Sequence, residues 1–278
     1  MSEFVDLHMH TNHSDGSCSA HEVLEIVREK KLVAFAITDH DTLDGYRAIR
    51  AFRTESDPEL ITGVELSVLC KGDDVHMLAY LFEESDKPLD SALTEFQKMR
   101  KERGRRIVDR LQELGLQIPF EAVMDTAGTS VVGRPHIAHT LKRLGMVSGY
   151  QEAFDRYIHS GGPAYVPKVM MTAEEAISLI HRAGGITSLA HPFLDNMAKH
   201  VETLVSLGLD AIEVRHSTHS RDDVARLERI AAKHGLIVTG GSDFHSREGR
   251  YGMIGSQKVP ADYLDKMKER AWQIRKQN

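Results

Sequence analysis

The chain has 278 residues, close to the ~250 of a (β/α) barrel and enough for a sizeable core. Its 41% hydrophobic content, 27% charged content and net charge of −6 are those of an ordinary globular chain, and argue against a surface that coats nucleic acid. Cys18 and Cys70 offer no disulfide framework, no apolar run is long enough to span a bilayer, and MSEFVDLHMH lacks the basic and apolar regions of a signal peptide, so the expected compartment is the cytoplasm.

Phe4–Leu7 reads as a first strand. Ser19-Ala20-His21-Glu22 is a capping box, and the stripe of Val23, Leu24, Ile26 and Val27 carries a helix to about Lys31. Val33–Ile37 is the second strand, followed by a helix over Asp44–Arg53. Leu60–Leu66 and Val75–Phe82 are the third and fourth. The connection through Lys71-Gly72-Asp73-Asp74 permits a hairpin and not a parallel crossover, so the fourth strand is expected antiparallel. That places His76, which opens its strand, on the same rim as the ends of the others.

From residue 88 to 167 no barrel strand is visible. A long helix, Ser91–Leu114, leads into short helical segments punctuated by Pro119, Gly128, Pro135, Gly145 and Gly161-Gly162. This is too large for a loop and reads as a helical cap domain inserted into a barrel formed by 1–87 and 168–278. A second capping box, Thr172-Ala173-Glu174-Glu175, opens a helix that stops at Gly184-Gly185. Strands at Gly185–Ala190, Leu209–Val214 and Leu236–Thr239 complete a set of seven, with helices at Ala198–Leu207, Arg221–His234 and Ala261–Lys276. The alternation implies an α/β fold with a mainly parallel sheet, closed or nearly closed, its site on the C-terminal rim.

Sixteen histidines are several times the usual share; His200 and His234 read as surface residues. Six of the others fall where chemistry would put them. His8 and His10 are two apart at a strand end, so both side chains face the same way. Asp243 and His245 repeat the arrangement at the last strand. Either pair alone is weak, since a random HxH is common. Together with Asp15, His40, Glu65, His76 and His191 they make nine imidazole and carboxylate donors. Such a set suits manganese, zinc or iron and is too large for one ion. Two or three divalent ions fit, with Glu65 or Asp15 able to bridge. Asp6 and Asp39 are expected to orient ligating rings. The chemistry expected of the centre is hydrolysis by attack of a metal-bridging hydroxide, with a phosphate ester favoured.

DLHMHTNHSDGS, AITDHDTLDGY, GVELS, DVHMLAYL, LAHP and GGSDFH together resemble the PHP (polymerase and histidinol phosphatase) family across nearly the whole chain outside the insertion. The resemblance implies a distorted seven-stranded, TIM-like barrel, a trinuclear set with all nine positions filled, and a metal-dependent phosphoesterase with manganese as the first choice of ion. Gly133-Arg134-Pro135-His136 and Tyr165-Val166-Pro167-Lys168 resemble the subgroup with a helical cap, whose members release the 3′-phosphate of nucleoside 3′,5′-bisphosphates or trim short RNA from its 5′ end. Read from the residues alone, Arg134 can grip a phosphate bidentately, with His136 and Lys168 in support; each is as readily a surface salt-bridging residue.

His216, on the active rim outside the nine, is a candidate to protonate a leaving alkoxide or to touch substrate. Lys98–Arg110 is strongly basic and reads as a solvated helix face, without the aromatics that stack single-stranded nucleic acid. The expected partner is a small phosphorylated nucleotide or short oligonucleotide; neither a membrane nor duplex nucleic acid is expected. The rival readings are a 5′-3′ exonuclease on short oligoribonucleotides, a histidinol-phosphate-type phosphatase, a hydrolase of a non-phosphate bond, and a catalytically silent regulatory module.

Overall fold

The structure, a computed structural model, describes residues 3–128, 130–248 and 252–278. In chain order its first elements are β1 (Phe4–Asp6), α1 (Ala20–Glu29), β2 (Ala34–Ala36), α2 (Asp44–Phe52), β3 (Glu59–Ile61), β4 (Gly63–Cys70) and β5 (Asp73–Tyr80). Next come α3 (Lys87–Glu113), α4 (Phe120–Ala127), α5 (Arg134–Arg143), α6 (Tyr150–Ala153) and a π-helical turn at Phe154–Ile158. The chain ends with β6 (Met171–Thr172), α7 (Ala173–Arg182), β7 (Ile186–Leu189), a 3-10 helix at Leu194–His200, α8 (Val201–Ser206), β8 (Ala211–Arg215), α9 (Arg221–His234), β9 (Ile237–Gly240), β10 (Val259–Pro260) and α10 (Asp262–Arg275). They form two units, residues 1–91 with 170–278, and residues 92–169. No helix among the described residues is long and apolar enough to cross a membrane.

Both capping boxes form. Ser19 and Glu22 cap α1 reciprocally, and Thr172 and Glu175 do the same for α7. Lys71 and Gly72 turn β4 into β5 with φ of 49° and 90°, the double positive φ that suits the twist of a two-residue hairpin. β4 and β5 therefore pair antiparallel, with Ser67 opposite His76.

In the first unit the strands lie in two sheets, ordered β10-β1-β2-β3 and β6-β4-β5-β7-β8-β9. β1 with β10, β4 with β5 and β5 with β7 are antiparallel; the other pairs are parallel. The described strands thus number ten in two sheets, where a single set of seven was expected. The predicted strand Leu60–Leu66 divides at Thr62, because β3 pairs with β2 and β4 turns to β5. β6 and β10, two residues each, are too short to show a period in sequence.

Backbone bonds run between the two sheets just beyond β1 and β2. His10 N–H donates to Phe244 O at 2.9 Å and Asp243 N–H to His8 O at 2.8 Å. Asp41 N–H donates to Glu65 O at 3.0 Å. The chain passes so close here that a Cβ on Gly241 would lie 2.3 Å from His8 N, so only glycine fits. Buried apolar clusters hold this unit, among them one around Leu7, Leu78, Tyr80 and Ile186 and another around Val23, Phe35, Ile49 and Phe244.

The second unit is helical, packed around Ile107, Leu111, Val123, Ile137 and Leu141. The basic stretch of α3 is not wholly a solvated face. Arg103 is 8% exposed and its Nε donates to Val166 O at 2.7 Å; Arg110 donates to Tyr165 O. These two arginines tie down the end of their own unit, because carbonyls outside regular structure need donors.

Candidate metal centre

The nine predicted donors converge within the first unit. His8 and His10 follow β1 and are fully buried. His40 follows β2, Glu65 lies in β4, His76 in β5 and His191 just past β7; Asp243 and His245 follow β9. Asp15 sits on the loop after β1, where Ser17 N–H donates to His245 O at 2.7 Å. His76 reaches Glu65, Nδ1 to Oε1 2.8 Å, so the antiparallel strand does bring it to the rim that carries His8.

Glu65 is the hub. Its Oε2 lies 3.4 Å from His8 Nε2, 3.2 Å from His10 Nε2 and 3.4 Å from His40 Nδ1. Its Oε1 lies 2.8 Å from His76 Nδ1 and 3.2 Å from His191 Nε2. Asp243 Oδ1 joins the first group, 3.3 Å from both His8 Nε2 and His10 Nε2. Asp15 gathers another, 3.3 Å from His245 Nε2, 3.7 Å from His10 Nδ1 and 3.8 Å from His40 Nε2.

This donor set fits divalent ions. Four donors about 2.1 Å from one tetrahedral ion would stand roughly 3.4 Å apart; the Nε2 atoms of His8 and His10 lie 3.3 Å from Asp243 Oδ1 and 3.4 and 3.2 Å from Glu65 Oε2, and His8, His10 and Asp243 form a group that could hold one ion. His10 Nε2 and His40 Nδ1 are buried without hydrogen-bond geometry to any described partner, yet both point at the same Glu65 oxygen. Buried nitrogens left in this way suit coordination better than hydrogen bonding.

The electrostatics agree. Burial pushes Asp15, Glu65 and Asp243 up, but the surrounding imidazoles outweigh it and hold all three well below the usual carboxylate range. Burial alone would depress His8 and His10. Glu213, Asp243 and Glu65 instead hold His8 well above its ordinary value, and Asp243 and Glu65 hold His10 up to about 10. His40, where burial wins, falls well below. The carboxylates thus favour the protonated form of His8 and His10.

The PHP domain family model matches residues 6–159. The chain belongs to the PHP domain family. It is 32% identical over 250 residues to a 5′-3′ exoribonuclease of Haemophilus influenzae, covering 88% of this chain and 91% of that one. It is 30% identical over 248 residues to a 3′,5′-nucleoside bisphosphate phosphatase of Chromobacterium violaceum, covering 87% of each. A crystal structure from Bifidobacterium adolescentis, of a protein assigned to the metal-dependent phosphoesterases, superposes with a TM-score of 0.87 at 28% identity and 97% coverage of both chains.

The sequence of this PHP domain misplaces some supporting residues. Asp39 does not take a ligating ring; it accepts from Thr11 N–H at 2.7 Å, Thr11 Oγ1 at 2.6 Å and Ser14 Oγ at 2.6 Å. Asp6 accepts from the Ser242 and Gly255 amides at 2.9 and 2.8 Å. Both acids fasten loop backbone. His200 is not on the surface: it is 4% exposed and its Nε2 meets Asp73 Oδ2 at 2.8 Å. Glu213 in β8, a carboxylate outside the nine, does meet one of their rings, 2.9 Å from His8 Nδ1. Its one sequence signal is an acid amid the apolar Ala211, Ile212 and Val214, where a buried charge needs partners.

His216 joins the centre: it is 1% exposed, with Nε2 3.2 Å from Asp243 Oδ2 and Nδ1 accepting from Thr218 N–H at 3.2 Å. Arg134, His136 and Lys168 belong to the other unit. Arg134 donates to Ile158 O at 3.2 Å and lies 5.7 Å from the ring centroids of Phe154 and of Tyr165. His136 Nδ1 accepts the Gly133 amide at 3.0 Å, at the start of α5.

Proposed function

We propose that this chain is a metal-dependent phosphoesterase that hydrolyses phosphate monoesters of small nucleotides, first the 3′-phosphate of nucleoside 3′,5′-bisphosphates. One observation carries the reading: both oxygens of a buried Glu65 are shared among five imidazole nitrogens. That arrangement suits a carboxylate bridging ions. His8, His10, Glu65 and Asp243 would hold one, Glu65, His76 and His191 a second, and Asp15, His40 and His245 a third. Manganese is the first choice, and zinc or iron also match imidazole and carboxylate. When bound, such ions supply Lewis acidity, neutralising phosphoryl charge and acidifying water.

The chain's own residues hold this charge in place. His216, beside Asp243, is the candidate for moving a proton at the centre. Arg134, His136 and Lys168 are proposed to bind the substrate's remaining phosphate, Arg134 by its planar fork. In this reading residues 88–167 are a helical domain inserted in the chain, and the first unit is a distorted barrel of seven principal strands. The bridges Met9–Phe244 and His40–Glu65, which join the two sheets, support that closure. The complete donor set weighs against a silent module. Trimming of short oligoribonucleotides from the 5′ end is the second reading, favoured by the exoribonuclease relative.

Manganese-loaded protein is expected to release phosphate from adenosine 3′,5′-bisphosphate faster than it degrades a 5′-phosphorylated trinucleotide. The reverse order makes exonuclease the main activity. No phosphate from any ester in a broad panel would sink the phosphatase reading. Arg134→Ala is expected to cost kcat/KM about 10- to 100-fold on the bisphosphate, the scale of a lost charge-assisted contact of ~1.5–3 kcal/mol, and little on an aryl phosphate. Equal losses on both substrates remove Arg134 from recognition.

A further inference from the structure

We infer that Glu213 is a positioning residue that sets the ligand geometry of two ion sites at once, through His8 and His191. The inference rests on the metal-site reading above. Glu213 is fully buried in β8, a strand that supplies none of the nine donors. Its Oε1 lies 2.9 Å from His8 Nδ1, and its Oε2 accepts the His191 backbone N–H at 2.7 Å.

A carboxylate only accepts, so the His8 proton belongs on Nδ1. That leaves the lone pair of a ligating His8 on Nε2, the atom that faces Glu65 and Asp243 at 3.4 and 3.3 Å. The other oxygen restrains a strained backbone. His191 has a φ of 27°, and a non-glycine residue stays in such a conformation only where its surroundings impose it. From there His191 Nε2 reaches Glu65 Oε1 at 3.2 Å. One carboxylate thus fixes a ring tautomer on one side of Glu65 and a backbone angle on the other.

Two donors face its two oxygens, and glutamine cannot serve both. In Glu213→Gln the NH2 group meets either the His191 amide, donor against donor, or His8 Nδ1. In the second case His8 must move its proton to Nε2, which then cannot ligate. Glu213→Asp keeps two acceptors on a shorter arm.

The test is titration of chelator-treated protein with Mn2+ alone, followed by chelator competition. Circular dichroism checks the fold, and ring 15N–1H spectra of zinc-loaded protein report the His8 tautomer. Glu213→Gln is expected to weaken Mn2+ binding about 10- to 100-fold, with unchanged stoichiometry at saturation. His8 should carry its proton on Nδ1 in the wild type, and Glu213→Asp should recover part of the loss, a comparison that stands if the glutamine variant folds poorly. Wild-type affinity in both variants overturns this role. So does the loss of a whole ion at saturation in both, which would make Glu213 a ligand itself, as its grouping with His8 and His216 permits. Wild-type protein that takes up no Mn2+ overturns the metal centre as well, so the two failures are distinguishable.

Discussion

Glu65→Gln is expected to lower kcat by at least about 10³-fold, beyond the ~10- to 100-fold that loss of an outer partner costs. A thousandfold is about 4 kcal/mol of barrier. The size follows from position. Each Glu65 oxygen faces ring nitrogens of different histidines, three on Oε2 and two on Oε1. Glutamine replaces one acceptor by an NH2 group, which can donate to a ring but cannot ligate an ion. It also removes the negative charge that favours cations in a buried site, where charges are screened least. The fold should survive, because the glutamine is isosteric and the β4–β5 ladder is backbone-bonded. Steady-state kinetics with manganese and a bisphosphate, beside circular dichroism of the same preparation, make the check. A folded variant with kcat within tenfold of wild type would show that Glu65 does not bridge.

The donors were legible in sequence because their signals are local. Strands buried on both faces read as short apolar runs, and a polar side chain at the end of such a run stands out. The hairpin was equally local: a connection as short as residues 71–74 fixes strand direction, and direction fixes the rim on which His76 lies. What could not be read depends on distant partners. Thr62 breaks a predicted strand because β2 claims one half and β5 the other. His200 is buried against Asp73, far away in the chain. Arg103 and Arg110 lie in a run of like charges, and nothing local says which will meet the carbonyls of Val166 and Tyr165. Asp6 and Asp39 were expected at rings and went to loop N–H groups and hydroxyls, since the loops beyond β1 and β9 leave amides that need acceptors. Glu213, an acid inside an apolar strand, does carry a local signal, since a buried charge needs partners.

Metal affinity is expected to climb with pH through the neutral and alkaline range, while the metal-free protein loses stability over that same range. A ring must shed its proton to ligate. In the metal-free protein His10 keeps its proton up to about 10, and His8 is held well above its ordinary value. Below that limit each ion taking these rings displaces protons, and apparent affinity rises about tenfold per pH unit for each one displaced. The stability signs are opposite for the two kinds of group. The raised His10 contributes stability that is fully present below 6.5 and is lost as pH rises through about 10. The depressed Asp15, Glu65 and Asp243 contribute stability present above the ordinary carboxylate range and lost as pH falls through their lowered values. The metal-free optimum therefore lies on the mildly acidic side of neutrality. Calorimetric titration with Mn2+ at about pH 7.5, in two buffers of different ionisation enthalpy, counts the released protons; thermal unfolding in chelator across the pH range gives the other slope. Zero proton release with a flat alkaline Tm would mean that these rings are neutral in the metal-free protein. Opposite slopes would mark a centre that exchanges protons for ions. A merely structural set of ion pairs would lose stability toward alkaline pH whether or not the metal was present.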